Sequence, residues 1–158
     1  MKCFCLQLQW NQGNLLNFPF EKKVITESDT ENLAMEFAEV INPGDLIVLN
    51  GDLGSGKTFF IKKVISKFGI YNASSPTFSL VNEYSGQFKI YHFDFYRINN
   101  KTELLDIGIN DYFNNEEAII FIEWGNLFPE ILPNQRIEIN IILNEDFSRG
   151  VKFKKYDR

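Results

Sequence analysis

Along the chain, short apolar runs alternate with stretches whose apolar residues recur at helical spacing. Lys23-Val24-Ile25-Thr26 predicts a first strand. A helix follows, and two capping signatures overlap at its start, Thr26 with Asp29 and Ser28 with Glu31. Leu33, Ala34, Phe37, Val40 and Ile41 make its buried stripe, and Asn42-Pro43-Gly44 supplies the stop chemistry. Residues 45–50 are apolar and β-branched, a strand. Residues 57–68 place Phe60, Ile61, Val64, Ile65 and Phe68 on one helical face, closed by Gly69. After a loop over 72–76, near-alternating polarity over 77–84 predicts a strand, Ser85-Gly86 a turn, and 88–95 a second strand. That pairing is an antiparallel hairpin, so the sheet is not purely parallel.

Residues 103–107 predict a short helix stopped by Gly108. Residues 118–122 are wholly apolar and end in Glu123, the pattern of a central strand buried on both faces. Residues 137–143 and 151–153 predict a late hairpin around 144–150. Residues 1–22 show no periodicity and leave open an extra edge strand, an arm or an upstream start. The expected organisation is therefore an N-terminal extension over 1–22 and a single α/β domain over 23–158, built on a mixed sheet with antiparallel strands.

Between the strand at 45–50 and the helix at 57–68 stands Gly51-Asp52-Leu53-Gly54-Ser55-Gly56-Lys57-Thr58. It reads G-x-x-x-x-G-K-[ST], the loop of the P-loop NTPases. Glycines let the backbone turn tightly and aim successive N–H groups at phosphate oxygens. A lysine at the seventh position reaches the β- and γ-phosphates, and the hydroxyl after it binds a bridging Mg²⁺. A strand before the loop and a helix after it put the phosphates at a helix N-terminus. Backbone and side chains of Asp52, Leu53, Gly54, Ser55, Gly56, Lys57, Thr58 and Phe59 are thus the expected nucleotide cradle. Mg²⁺ at such a loop needs an acid at the end of a neighbouring strand. Asp94, after Ile90-Tyr91-His92-Phe93, and Glu123, at the end of the most apolar run, are the two candidates. No N-K-x-D guanine-reading loop is present, which leaves adenine as the default base and ATP as the expected nucleotide.

Composition narrows this further. With 158 residues, 44% hydrophobic and 15% aromatic, the chain has material for one well-filled core. A formal charge of −5 argues against a strong grip of its own on nucleic acid. Cys3 and Cys5 with the lone His92 make a poor zinc set and read as free thiols of a reducing cytosol, hence a cytoplasmic location. No apolar run is long enough for a membrane span, and the N-terminus lacks the pattern of a signal peptide. His92 has no partners for a nucleophilic triad and reads as a packed or hydrogen-bonding histidine; Trp124 reads as core.

Beyond the loop, four further blocks occur in order: Ser75-Pro76-Thr77-Phe78 with Leu80-Val81-Asn82-Glu83-Tyr84, His92-Phe93-Asp94-Phe95-Tyr96-Arg97, residues 103–113, and Glu123-Trp124. Together they resemble the TsaE family, the bacterial ATPases of tRNA threonylcarbamoyladenosine biosynthesis, over about residues 26–151. The resemblance implies a P-loop NTPase-like three-layer α/β sandwich that binds ATP and Mg²⁺ and hydrolyses ATP weakly alone. It implies work in a complex with TsaD and TsaB, which transfer the threonylcarbamoyl group, with tRNA met only indirectly. Thr58 and Glu123 map onto the metal ligands, Asp94 onto a supporting acid, and residues 75–84 onto a switch region. Adenine contacts are implied near Glu27 and up to Thr30, and near Arg149. Two departures stand out: Phe59 replaces a threonine whose hydroxyl touches the α-phosphate, and Gly125 replaces a more usual Pro, Ala or Ser. Two rival readings keep the loop but change the task, a small-molecule or nucleotide kinase and a non-catalytic ATP-dependent switch. The few arginines (Arg97, Arg136, Arg149 and Arg158) weigh against a kinase lid.

Overall fold

The computed structural model describes residues 18–76 and 79–157. Its strands are β1 (Phe20–Val24), β2 (Leu46–Asn50), β3 (Val81–Ser85), β4 (Lys89–Asp94), β5 (Ala118–Glu123), β6 (Arg136–Leu143) and β7 (Arg149–Tyr156). Its α-helices are α1 (Glu27–Ala38), α2 (Lys57–Ser66), α3 (Lys101–Asp106) and α4 (Ile109–Phe113), with 3-10 turns at Phe95–Arg97 and Gly125–Leu127. The seven strands form one sheet in the order β1-β7-β6-β2-β5-β4-β3. The centre, β4-β5-β2-β6, is parallel; the β3–β4, β6–β7 and β1–β7 pairs are antiparallel.

Two cores lie on the two faces, which makes three layers. On one, Leu33 and Phe37 of α1 and Phe60, Ile61, Val64 and Ile65 of α2 pack on Ile47, Leu49, Phe121 and Ile139. On the other, Leu104 of α3, Ile109 of α4 and Phe95 cover Val48, Phe93, Ile120 and Ile122. Strand β5 is buried at all six positions, because helices close both of its faces and strands close both of its edges. This is the α/β fold with a mixed sheet that the apolar pattern predicts.

Of the two capping signatures, the chain uses the first. Asp29 N donates to Thr26 Oγ1 at 3.0 Å and Thr26 N donates to Asp29 Oδ2 at 2.9 Å, a reciprocal capping box. The helix ends at Ala38, before Asn42-Pro43-Gly44; Val40 and Ile41 lie beyond it, and Ile41 is still buried. Strand β1 begins at Phe20, ahead of the expected start at 23, and pairs along β7 from Phe20↔Phe153 to Val24↔Arg149. Of the strand expected over 77–84, residues 77 and 78 lie outside the described residues, and pairing begins at Val81. Helix α4 has no counterpart in the expected elements. Gly108, at φ 71°, lets the chain re-enter a helix too short to display a period. The late strands also run longer than the apolar pattern predicts: β7 reaches Tyr156 because it pairs on both edges, with β1 and β6.

Candidate functional site

The site forms where β2, β4 and β5 end, under the N-terminus of α2. Gly51 leaves β2 at φ 147°, and a side chain there would meet the Ile141 carbonyl oxygen at 2.3 Å, so only glycine lets the loop pass β6. Gly54 and Gly56 also hold positive φ, at 79° and 106°. Gly56 is the N-cap of α2 and offers no side chain, so the first N–H groups of the helix lack a side-chain cap. Ser55 Oγ is buried and without a hydrogen-bond partner among the described residues.

Lys57 is 4% exposed and folds inside this loop. Its Nζ donates to the carbonyls of Gly51 at 2.7 Å and Asp52 at 2.9 Å and lies 3.9 Å from the centre of the Trp124 ring. Burial lowers its affinity for a proton, while the negative charges of Glu123, Asp94 and Asp52 oppose that shift. Trp124 reaches over the lysine through an unusual backbone, at φ 61° and ψ 32°, anchored by its N–H to the Leu49 carbonyl at 2.9 Å. A bulky residue in this region costs on the order of 1–3 kcal/mol, the kind of strain that collects at working sites. Tyr96 packs on the same indole, centroid to centroid 5.0 Å.

Thr58 and Glu123 meet although 65 residues separate them: Thr58 Oγ1 lies 2.8 Å from Glu123 Oε1 and 3.0 Å from Oε2. Glu123 is 3% exposed. Asp94 stands beside it across the parallel β4–β5 pair, in register. Its Oδ1 accepts from Tyr96 N at 3.0 Å and its Oδ2 from Ser75 Oγ at 3.4 Å. Burial raises the Asp94 carboxyl above its ordinary value; the Tyr96 N–H opposes this, and the Glu123 charge adds to it.

The remaining expected residues fall as follows. Asp52, Leu53 and Gly54 form the exposed tip of the loop, and Phe59 is half-buried on α2 under Lys63 Nζ, 5.3 Å from its ring. Arg149 joins the site from β7: its Nε donates to the Ser55 carbonyl at 2.8 Å and braces the loop. Glu27 stands exposed at the first position of α1, and no hydrogen bond or ion pair ties it to the loop among the described residues. Three contacts were not anticipated from the sequence: His92 against Glu123, Trp124 over Lys57, and Ser75 on Asp94. For the first, the signal was parity, since His92 and Asp94 are two residues apart on one strand and so share a face.

The donors fit a nucleotide phosphate and a hard cation. The loop offers backbone N–H groups, a buried hydroxyl and an ammonium, all suited to anionic oxygens. Among the described residues no three His, Cys, Asp or Glu side chains gather into a closed metal cage. Mg²⁺ does not require one, because it commonly takes one or two protein oxygens and completes its shell with phosphate and water. A separate shallow groove of about 430 Å³, lined by Lys22, Asp29, Asn32, Met35 and Glu36, contains none of these residues.

Set beside known proteins, the chain matches the family model described as "Threonylcarbamoyl adenosine biosynthesis protein TsaE" over residues 24–151. It is 38% identical over 133 residues to the "tRNA threonylcarbamoyladenosine biosynthesis protein TsaE" of Rickettsia typhi, covering 82% of this chain and 91% of that one. The protein of the same name from Bacillus subtilis is 35% identical over 133 residues, 83% of this chain and 82% of that one. The crystal structure of Bacillus subtilis YdiB superposes with a TM-score of 0.73 at 30% identity, over 87% of this chain and 86% of that chain.

Proposed function

The chain belongs to the TsaE family of tRNA threonylcarbamoyladenosine biosynthesis, and from that premise we propose that it binds ATP in the loop at 51–58 and hydrolyses it slowly. The observation that carries this reading is the meeting of Thr58 and Glu123, at 2.8 and 3.0 Å, directly under the glycine loop. The loop N–H groups and Lys57 would bind the phosphates, and Arg149 would keep the loop in shape through Ser55. Thr58 and Glu123 would hold Mg²⁺, which neutralises charge on the phosphate oxygens. Asp94, half-buried beside Glu123, would orient the attacking water. Adenine would lie toward Arg149 and the start of α1 at Glu27.

Speed sets the partner question. Transition-state charge on the γ-phosphate calls for an arginine finger, which is worth about 10³ to 10⁵ in rate. Arg149 is committed through Nε to Ser55 O, and Arg97 lies exposed on the 3-10 turn after β4. A basic group supplied by a partner would complete the site, and TsaD and TsaB are the partners this reading names. It puts the work in the cytoplasm and the contact with tRNA at one remove, in keeping with the charge of −5. No helix among the described residues is long and apolar enough to cross a membrane.

The test is reconstitution of threonylcarbamoyl transfer with TsaD and TsaB, with and without this chain. Multiple turnover should require the chain and ATP. Lys57→Ala should abolish ATP binding, whereas Glu123→Ala should retain metal-free binding and lose hydrolysis. Full tRNA modification with the Glu123→Ala chain would reduce the ATPase to a switch, and full modification without the chain would remove the role.

A further inference from the structure

Glu123 makes one bond for which the nucleotide reading has no use. His92 on β4 neighbours Phe121 of parallel β5, and the next same-face pair is Asp94 with Glu123. From that position the imidazole reaches diagonally to the carboxylate, with Nε2 2.9 Å from Glu123 Oε1 and the ring 1% exposed. A carboxylate oxygen accepts, so Nε2 carries the hydrogen and donates. Nδ1 is buried with no partner among the described residues. An imidazole with one nitrogen left unpaired is a costly filler for an apolar layer beside Phe121. Packing alone would favour an apolar side chain there.

We propose that His92 is a positioning residue that fixes the Glu123 carboxylate for a divalent cation, an inference that rests on Thr58 and Glu123 being the cation's protein ligands. The argument turns on the hydroxyl of Thr58. It has one hydrogen, shared between Oε1 and Oε2. When the hydroxyl oxygen directs a lone pair at a cation, that hydrogen turns away, and the carboxylate loses the restraint it has from α2. The His92 bond comes from β4, inside the sheet, and does not depend on that rotation. It keeps Oε1 in place and leaves Oε2 to face the cation. Hydrogen-bonded partners behind a ligating carboxylate set its orientation in the same way at other metal sites.

The experiment compares three variants of the full chain. In His92→Gln the amide nitrogen reaches about as far as Nε2 and can donate to Oε1; in His92→Asn it is too short; His92→Leu removes the donor and keeps the bulk. Mn²⁺ binding in the presence of ATP is read by the loss of the free-ion paramagnetic resonance signal, and metal-free ATP binding by calorimetry in chelator. Expected is a fall of about 10- to 100-fold in Mn²⁺ affinity for the Leu and Asn variants. Metal-free ATP affinity should be unchanged, and the Gln variant should stay close to the unmodified chain. Native Mn²⁺ affinity in the Asn variant overturns the proposal, as does an equal loss of metal-bound and metal-free binding, which marks a structural role only. Should the Leu variant fail to fold, the Gln and Asn pair still decides, since the two differ in reach alone. Absence of any metal-dependent ATP binding by the unmodified chain overturns the nucleotide reading itself.

Discussion

At Gly125 a single added methyl group has no room. A Cβ there would meet Val48 Cγ1 at 2.4 Å and Leu132 Cδ1 at 3.3 Å, and Val48 is fully buried in the central strand. The packing of β2 thus explains the glycine after Trp124. Gly125→Ala should lower stability in urea by about 1–3 kcal/mol, the usual cost of overpacking. Adding Val48→Ala should recover part of that loss, and strictly additive losses would refute the contact. Asp94 supplies a second prediction at this scale. Burial raises its native carboxyl above 3.8, so the folded chain holds the proton more tightly than the unfolded one. Stability is then lost as pH rises from about 3.8 through the native value. Asp94→Asn keeps an acceptor for Tyr96 N and removes this penalty. The variant should unfold at higher denaturant than the parent near neutral pH, with the gap closing as pH falls below the window. A gap that widens toward acid would reverse the sign and refute the burial argument.

Among the elements, α1 shows how a sequence ambiguity is settled. Ser28 with Glu31 satisfies the same capping rule as Thr26 with Asp29. Thr26, however, stands one residue beyond the end of β1, after Ile25, and has extended backbone, φ −113° and ψ 164°, as an N-cap requires. Asp29 Oδ2 accepts from both Thr26 N and Ile25 N, which holds its carboxyl below the ordinary value. Glu31 instead faces α2 and pairs with Lys63 at 2.9 Å. Thr26→Ala should therefore cost about 1 kcal/mol, and Ser28→Ala close to nothing. Equal losses in the two variants, measured by thermal unfolding, would mean that the helix has two competing starts.

For the whole molecule, the site is a joint between layers. Lys57 and Thr58 come from α2, Asp94 and His92 from β4, Glu123 from the end of β5, Trp124 from the residue after it, and Arg149 from β7. A ligand that joins these elements in the folded state and not in the unfolded one must raise stability by mass action. At a hundred times its dissociation constant that is about 2.7 kcal/mol. ATP with Mg²⁺ should accordingly raise the melting temperature, and Lys57→Ala should abolish the rise. A rise of equal size in Lys57→Ala would move the nucleotide to another place on the molecule.

What could be read from the sequence was local or periodic. The loop, its strand and its helix are contiguous, and Phe60, Ile61, Val64 and Ile65 repeat every three or four residues because one side of α2 is dry. The apolar run ending in Glu123 marked a buried acid for the same reason, since no other residue type would be as conspicuous there. Contacts across the sheet were illegible. That β5 lies between β2 and β4, in the register that sets Asp94 beside Glu123 and His92 within reach of it, is decided by packing among segments tens of residues apart. The same holds for β1, whose residues 20–22 show no period of their own and become strand only because β7 presents an open edge. Residue order determines which groups are available and how each short segment bends. Burial of two helical layers on one mixed sheet decides which of those groups meet, because the free energy that selects the pairing comes from surface removed from water over the whole chain.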